Sequence, residues 1–129
     1  MVDPATDEAG STDTLVGIEG VRGSIFADVL TGGNAASDAL EVFVGQGGDD
    51  RIDGRSGFDR ADYSSSTSGA IVILGGAGIG TAQDGLGSVD TLISIEGVRG
   101  SAFADTLTGS DAAGTFETFE GREGNDIID

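Results

Sequence analysis

The chain has 129 residues, about the size of one domain, and its six basic and 23 acidic side chains give a net charge of −17. It has no His and no Cys, which excludes a Ser-His or Cys-His nucleophile and an ordinary zinc site. All six basic residues are Arg, and so few cations on such an acidic chain argue against nucleic acid and anionic membranes as partners. Composition therefore predicts that the protein is not an enzyme and favours cations as its ligands.

The first twelve residues and the apolar runs bear on targeting. Residues 1–12 are acidic where a cleavable secretory signal has basic and then apolar residues, and we expect them to be a flexible lead. The longest apolar run, residues 70–74, is far shorter than the ~20 residues that a membrane span needs. We therefore expect no membrane insertion.

Glycine is abundant, and the sequence repeats itself. There are 24 Gly in the chain, well above the usual ~7 %. Several segments return 76 or 77 residues later, namely 13–20 at 90–97, 21–32 at 98–109 and 41–45 at 117–121. Excess glycine with regular apolar spacing is typical of a repeat protein whose tight turns need positive φ angles.

The repeat predicts the domain organisation. We expect a single repeat domain at residues 13–129, with a first repeat at 13–89 and a partial second repeat at 90–129. No atypical capping repeat is present, so we interpret the chain as a segment of a longer tandem array.

Within the long repeat, a nine-residue unit recurs. Residues 45–53 and 54–62 are adjacent and fit the pattern G-G-x-G-x-D-x-U-x, where U is a large apolar residue, and residues 121–129 repeat the first of them. Looser units occupy residues 23–31 and 100–108. Two stretched units place Glu41 and Glu117 at the Asp position and Phe43 and Phe119 at the apolar position, with insertions at 33–40 and 110–116 that we expect to loop out.

Each unit predicts a short strand and a turn. Three residues with one inward apolar side chain form a very short β-strand, and six residues of Gly and Asp form a turn. Two units complete one coil of a parallel solenoid, so each strand should pair with the strand eighteen residues on. The predicted core is narrow and takes one side chain from each strand: Leu30, Phe43, Ile52, Ala61, Leu107, Phe119 and Ile128.

The same geometry stacks the acidic turns. We expect Asp28 to lie beside Asp50, Glu41 beside Asp59 and Asp105 beside Asp126, with Glu117 beside a turn that the chain lacks. Facing carboxylates repel and a thin core stabilises little, so a cation between turns is required. The proposed side-chain ligands are Asp28, Glu41, Asp50, Asp59, Asp105 and Asp126, and the proposed carbonyl ligands are Gly45, Gly47, Asp49, Gly54, Ser56 and Phe58. Carboxylate and carbonyl oxygens with a flexible ligand number favour Ca²⁺ over Mg²⁺.

Other charged residues have simpler roles. Asp53 and Asp62 hold the outward ninth position and are predicted to face solvent. The Arg side chains at positions 51, 55, 60 and 99 have the geometry to bind a carboxylate polymer, but the plainer interpretation is that they neutralise neighbouring acids.

Residues 63–89 lack the acidic turn. We expect the solenoid to continue through them with longer, metal-free turns, a buried strand at 70–74 and a Gly-rich excursion at 75–88. Residues 90–96 alternate only in part, which is consistent with a strand and a corner, and no sustained helical periodicity occurs.

The tandem nonapeptides resemble those of RTX (hemolysin-type calcium-binding repeat) proteins. The flanking sequence is similar to what surrounds such repeats in large secreted bacterial proteins. The similar segments are Ala61-Asp62-Tyr63-Ser64, residues 89–96 and residues 100–109. The resemblance covers about residues 13–129 and implies an all-β, right-handed parallel β-roll, exported by type I secretion and folded outside the cell. Departures at Arg55-Ser56, Phe58 and Glu41 lead us to expect few calcium ions.

Two hypotheses of function follow. The first is a calcium-responsive folding module of a larger secreted or cell-surface protein, whose partners are calcium ions and neighbouring repeats. The second is an adhesin spacer or a ligand-binding face for polysaccharide or ice. The second lacks the expected rows of Thr-x-Thr, since only residues 106–108 fit, and the exposed aromatics of a carbohydrate site, since Tyr63 is the only Tyr.

Overall fold

The computed structural model describes residues 18–34 and 40–129, and this part of the chain is all-β. The predicted flexible lead, residues 1–12, lies outside the described residues, as do residues 35–39 of the first insertion. Over the described ranges no helix is long and apolar enough to cross a membrane.

In the part of the chain that the structure describes, twelve short strands form two sheets. In chain order they are β1 (Gly20–Arg22), β2 (Val29–Thr31), β3 (Leu40–Val44), β4 (Arg51–Asp53), β5 (Phe58–Asp62), β6 (Ile71–Ile73), β7 (Ile79–Gln83), β8 (Val89–Ile93), β9 (Gly97–Arg99), β10 (Thr106–Thr108), β11 (Thr118–Glu120) and β12 (Ile127–Ile128). The five-stranded sheet has the order β1-β3-β5-β9-β11, and the seven-stranded sheet has the order β12-β10-β6-β7-β8-β4-β2. All pairs are parallel except β6 with β7 and β7 with β8. The predicted all-β class with parallel pairing is thus confirmed, and the seven-stranded sheet is mixed.

The predicted spacing of eighteen residues between paired strands holds for one pair only within the described ranges. Leu40 pairs with Phe58 at that spacing, between β3 and β5. Gly20 pairs with Val42, 22 residues on, and Arg51 pairs with Thr91, 40 residues on. The rule is wrong elsewhere because insertions lengthen the turns without changing which strands meet.

Residues 63–89 confirm a second expectation only in part: β6 pairs in parallel with β10, as a continuing solenoid would, but β7 is antiparallel to both of its neighbours. The excursion at 75–88 contains β7, which lies between β6 and β8 and is antiparallel to both. The first reversal is a tight turn in which the amide of Gly78 donates to the carbonyl of Gly75 at 2.8 Å. At the second reversal Oδ1 of Asp84 accepts the amides of Leu86 at 2.8 Å and Ser88 at 2.9 Å. These two turns let the chain run back along the sheet.

The core lies between the sheets and is largely the predicted one. Five of the seven predicted side chains are buried, and Phe119 is partly buried against them. The prediction that Ile128 is buried is wrong. Its side chain is 51 % exposed, on β12, the last strand of its sheet. The second repeat and the antiparallel strands add further buried side chains, including Tyr63, Val72, Leu92, Ile95 and Val98.

Three of the four arginines pair with neighbouring acids, as the plainer interpretation predicted, and for Arg55 that interpretation stays a prediction. Arg51 lies 3.6 Å from Asp53, which is partly exposed. Asp62 is only 8 % exposed, so its predicted solvent-facing position is wrong. Its carboxylate lies 3.7 Å from both Arg60 and Arg99, and these two cations cover it.

Candidate metal centre

The acids that begin the strands form two rows. The aspartate row stands at the start of strands in the seven-stranded sheet and contains Asp28, Asp50, Asp90, Asp105 and Asp126. The glutamate row stands at the start of strands in the five-stranded sheet and contains Glu19, Glu41, Asp59, Glu96 and Glu117. Neighbouring strands are ~4.8 Å apart, so each row brings carboxylates close together.

Hydrogen bonds tie successive members of the aspartate row. The amide of Asp28 donates to Oδ1 of Asp50 at 2.9 Å, and the amide of Asp50 donates to Oδ1 of Asp90 at 3.1 Å. The amide of Asp105 likewise donates to Oδ1 of Asp126 at 3.0 Å. The predicted neighbours, Asp28 with Asp50 and Asp105 with Asp126, are therefore confirmed. The antiparallel strands separate these two stretches of the row.

The glutamate row is continuous across the five-stranded sheet. Glu41 pairs with Asp59, as predicted, and the amide of Asp59 donates to Oε2 of Glu96 at 3.0 Å. Glu117 follows Glu96 in the row, since the next residue, Thr118, pairs with Gly97. Glu117 therefore has a neighbouring acid on one side, which the sequence interpretation did not anticipate.

The aspartates of the rows are buried, except Asp126, which is partly exposed. Asp50 is 2 % exposed and Asp59 is 0 % exposed, and each stands two residues before a buried core side chain. Successive side chains of a strand alternate between faces, so the acid and the apolar residue two positions on share the inner face. The carboxylates therefore close the ends of the core where the glycine turns meet it.

Two of these carboxylates have buried oxygens without a hydrogen-bond partner. They are Oδ2 of Asp50 and both carboxylate oxygens of Asp59. Burial, reinforced by repulsion from Asp90, raises the pKa of Asp50 to about 7, although the amide of Asp28 acts in the opposite direction. Burial, with repulsion from Glu41 and Glu96, raises the pKa of Asp59 to about 7, although the amide of Glu41 acts in the opposite direction. A buried carboxylate without a partner is costly, so either protons or a cation must offset its charge.

The turn glycines place carbonyl oxygens beside these carboxylates. A Cβ built on Gly23 would lie 2.6 Å from both Oδ2 of Asp28 and the carbonyl oxygen of Gly45. A Cβ on Gly32 would lie 2.5 Å from both Oε2 of Glu41 and the carbonyl oxygen of Gly54. Glycine is thus required here so that a carboxylate of one turn and a carbonyl of the next can approach the same point. Of the predicted carbonyl ligands, Gly45 and Gly54 are brought to a carboxylate.

The other predicted carbonyl ligands have contacts of different kinds. Oδ1 of Asp49 accepts the amide of Val89 at 2.9 Å, and the ring of Phe58 lies 6.5 Å from that of Phe116. The amide of Gly47 donates to the carbonyl of Ser24 at 3.3 Å, and Ser56 is exposed. Ligation by the carbonyls of Gly47, Asp49, Ser56 and Phe58 stays a prediction.

Three buried polar residues near the aspartate row were missed. Oδ2 of Asp90 accepts the hydroxyl of Tyr63 at 3.1 Å, and burial raises the pKa of Asp90 to about 6. Asp84 is fully buried, and its Oδ2 has no hydrogen-bond partner. Asp90 stands two residues before the core residue Leu92, as Asp50 stands before Ile52, and this spacing is the sequence signal that could have found it.

These features fit a cation held by few side chains and several carbonyls. Within residues 18–34 and 40–129, no group of three or more acidic side chains is placed to hold a metal ion. A cation between two turns would be held by one or two carboxylates and by carbonyl oxygens such as those of Gly45 and Gly54. That donor set, with its buried unpartnered oxygens, suits Ca²⁺, which takes 6–8 oxygen ligands.

No protein-family model, curated protein or solved structure matches the chain. The function proposed below therefore depends on the sequence and geometry of the chain itself.

Proposed function

We propose that this chain is a calcium-binding repeat module of the RTX type, in which Ca²⁺ between stacked turns stabilises the fold. The observation that carries the proposal is the pair of buried aspartates, Asp50 and Asp59, with three carboxylate oxygens that lack a partner. Both stand at the Asp position of the two adjacent nonapeptides, which is where the sequence places the ligands.

The finer fold in this proposal is a right-handed parallel β-roll interrupted by one antiparallel segment. It is supported by the alternation of short strands between two sheets along the chain, and by parallel pairing wherever the nonapeptide pattern is present. The antiparallel strands β6 and β7 coincide with the residues that lack the pattern.

The chain's own groups would hold the ion in two places. On one side, Asp28 lies beside the carbonyl of Gly45, and its neighbour Asp50 lies against Gly45 itself. On the other side, Glu41 lies beside the carbonyl of Gly54, and its neighbour Asp59 lies beside the carbonyl of Ser94. When bound, Ca²⁺ would supply positive charge that offsets the buried carboxylates. The glycines keep the turn backbones close enough to share it.

Calcium binding and folding would be coupled. The turns exist as a ligand set only when the strands are paired, so calcium binds the folded state and stabilises it by mass action. Without calcium, a net charge of −17 opposes compaction. We propose that the chain stays loose where free calcium is scarce, inside the cell, and folds outside it, in a larger secreted or cell-surface protein.

Circular dichroism during a calcium titration tests the proposal. We expect strand signal to be incomplete in excess chelator and to grow with Ca²⁺, with a much weaker response to Mg²⁺, which dehydrates reluctantly and demands six-coordinate geometry. Full strand signal in chelator, unchanged by calcium, would contradict the proposal.

A second candidate, a ligand-binding face, is favoured by the outer surface of the seven-stranded sheet. The outward side chains of β6, β7, β8 and β10 include no charged residue, although the chain as a whole is strongly acidic. They are Ile71, Ile73, Ile79, Thr81, Gln83, Val89, Thr91, Ile93, Thr106 and Thr108. A glycan array probed with the parent chain and with Thr81→Arg tests this candidate. Binding that Thr81→Arg abolishes would support it, and signal at background would reject it.

A further inference from the structure

Two strands with the same sequence, Gly-Val-Arg, have different surroundings in the five-stranded sheet. β9 lies between β5 and β11, whereas β1 pairs with β3 alone among the described residues and forms the edge of the sheet there. Both strands are preceded by Ile-Glu, so residues 18–22 and 95–99 are equivalent positions of the internal repeat. The structure therefore shows the same segment with and without a second neighbouring strand.

In the second repeat, β5 covers this segment closely. Val98 is 1 % exposed and lies opposite Ala61, while a Cβ built on Gly97 would lie 3.2 Å from the side chain of Arg60. The guanidinium of Arg99 lies 3.7 Å from the carboxylate of Asp62. The amide of Glu96 donates to the carbonyl of Asp59 at 3.0 Å, which fixes the start of the pairing.

In the first repeat, the equivalent groups are open. A Cβ built on Gly20 would meet only the carbonyl of Val42, at 3.9 Å, and Val21 is only partly buried. Arg22 donates to Oε1 of Gln46 at 2.9 Å and makes no ion pair within the part of the chain that the structure describes.

We propose that the edge of β1 binds a parallel strand of the β5 type, with the sequence Phe-Asp-Arg-Ala-Asp, supplied by another repeat. The register follows from the pairing of β5 with β9: the Arg of the incoming strand lies opposite Gly20, the Ala opposite Val21 and the final Asp opposite Arg22. That Asp gives Arg22 the carboxylate partner that Asp62 gives Arg99.

The opposite edge of the sheet fits the same strand. β11, the last strand at that edge, is the repeat equivalent of β3. The side of β11 that has no neighbouring strand among the described residues corresponds to the side of β3 that pairs with β5. A β5-type strand therefore matches both ends of the sheet. A second folded copy of this chain is not the occupant, because its own β5 is already paired on both sides, with β3 and with β9.

A fusion tests the proposal. In the fusion, a second copy of residues 54–88 replaces residues 1–11. Residue 12 is the repeat equivalent of residue 89, so the added β5 sequence lies as far before β1 as β5 lies before β9. We expect the amide of Glu19, the equivalent of Glu96, to become at least tenfold more protected from hydrogen exchange. Asp62→Arg in the added copy should remove that protection, and adding Arg22→Asp should restore it.

Three results would overturn the proposal. The Glu19 amide stays unprotected in the fusion; the Asp62→Arg change in the added copy has no effect; or the parent chain sediments as a dimer in which that amide is already protected, so that a second copy occupies the edge. Fusion and parent are compared in the same calcium buffer. A gain of protection without any calcium dependence of folding would support this proposal and contradict only the proposed function.

Discussion

Replacing Asp59 with Asn should change the stability of the fold in opposite directions with and without calcium. Asp59 is fully buried, its carboxylate oxygens have no hydrogen-bond partner, and Glu41 and Glu96 repel it. Asn has nearly the same shape, carries no charge, and can donate its amide to the neighbouring acids. Without calcium the substitution removes an unfavourable charge, and with calcium it removes a ligand.

The raised pKa of Asp59 sets the size of the effect without calcium. Its pKa is about 7 in the folded state and 3.8 ordinarily, so the folded state binds a proton more tightly than the unfolded state. At pH 8 the charged form therefore destabilises the fold, by an upper limit of about 4 kcal/mol at ~1.4 kcal/mol per pH unit. Water that reaches the turn screens the charge, and we expect Asp59→Asn to stabilise the calcium-free fold by about 2 kcal/mol.

Calcium reverses the order of the two proteins. At a thousandfold excess over its dissociation constant, one bound ion stabilises the fold by about 4 kcal/mol. If the variant loses this ion, its free energy of unfolding falls about 2 kcal/mol below that of the parent.

Urea unfolding at pH 8, in excess chelator and in saturating calcium, measures both effects. Asp111→Asn is the matched control, because it makes the same charge change at an exposed position outside both rows and should have little effect in either buffer. An Asp59→Asn variant that shifts stability in the same direction in both buffers would refute the reasoning.

The remaining predictions concern pH, glycine and the core. In chelator, the fold should become more stable as pH falls from 8 to about 5, because the two buried aspartates with a pKa of about 7 take up protons in the folded state first. In calcium, protons compete with the ion and should raise the calcium concentration needed for folding. A calcium midpoint independent of pH would contradict this. Gly54→Ala should destabilise the fold and weaken calcium binding in a titration, since its Cβ would lie 2.5 Å from Oδ2 of Asp59. Gly47→Ala is the control: the atom nearest to its Cβ would be 3.8 Å away, and the variant should bind calcium like the parent. Ile52→Ala should cost about 2–5 kcal/mol in denaturant unfolding and Ile128→Ala less than about 1 kcal/mol, and equal costs would contradict the described core.

The nonapeptide period made the stacked acids predictable. A unit of fixed length determines which side chains share a face, so the sequence alone predicted that Asp28 and Asp50 are neighbours. The count of eighteen residues failed at the insertions, because loop length does not alter strand order. Asp90 and Glu96 join the rows for that reason, although neither belongs to a nonapeptide unit.

The antiparallel strand β7 could not be predicted from its residues. It has small inward side chains, and a Cβ on Gly80 would lie 2.5 Å from the carbonyl of Ile73. Close approach of the backbone requires glycine there, and glycine in a sequence favours a loop. Packing against β6 and β8 determined the strand.

A crystal of the chain grown in calcium, with the ions located by anomalous scattering, shows whether calcium binds between the stacked turns. We predict an ion within about 2.3–2.6 Å of carboxylate oxygens of Asp50 or Asp59 and of a turn carbonyl. An ordered fold in which both carboxylates keep unpartnered oxygens and touch no ion would contradict it.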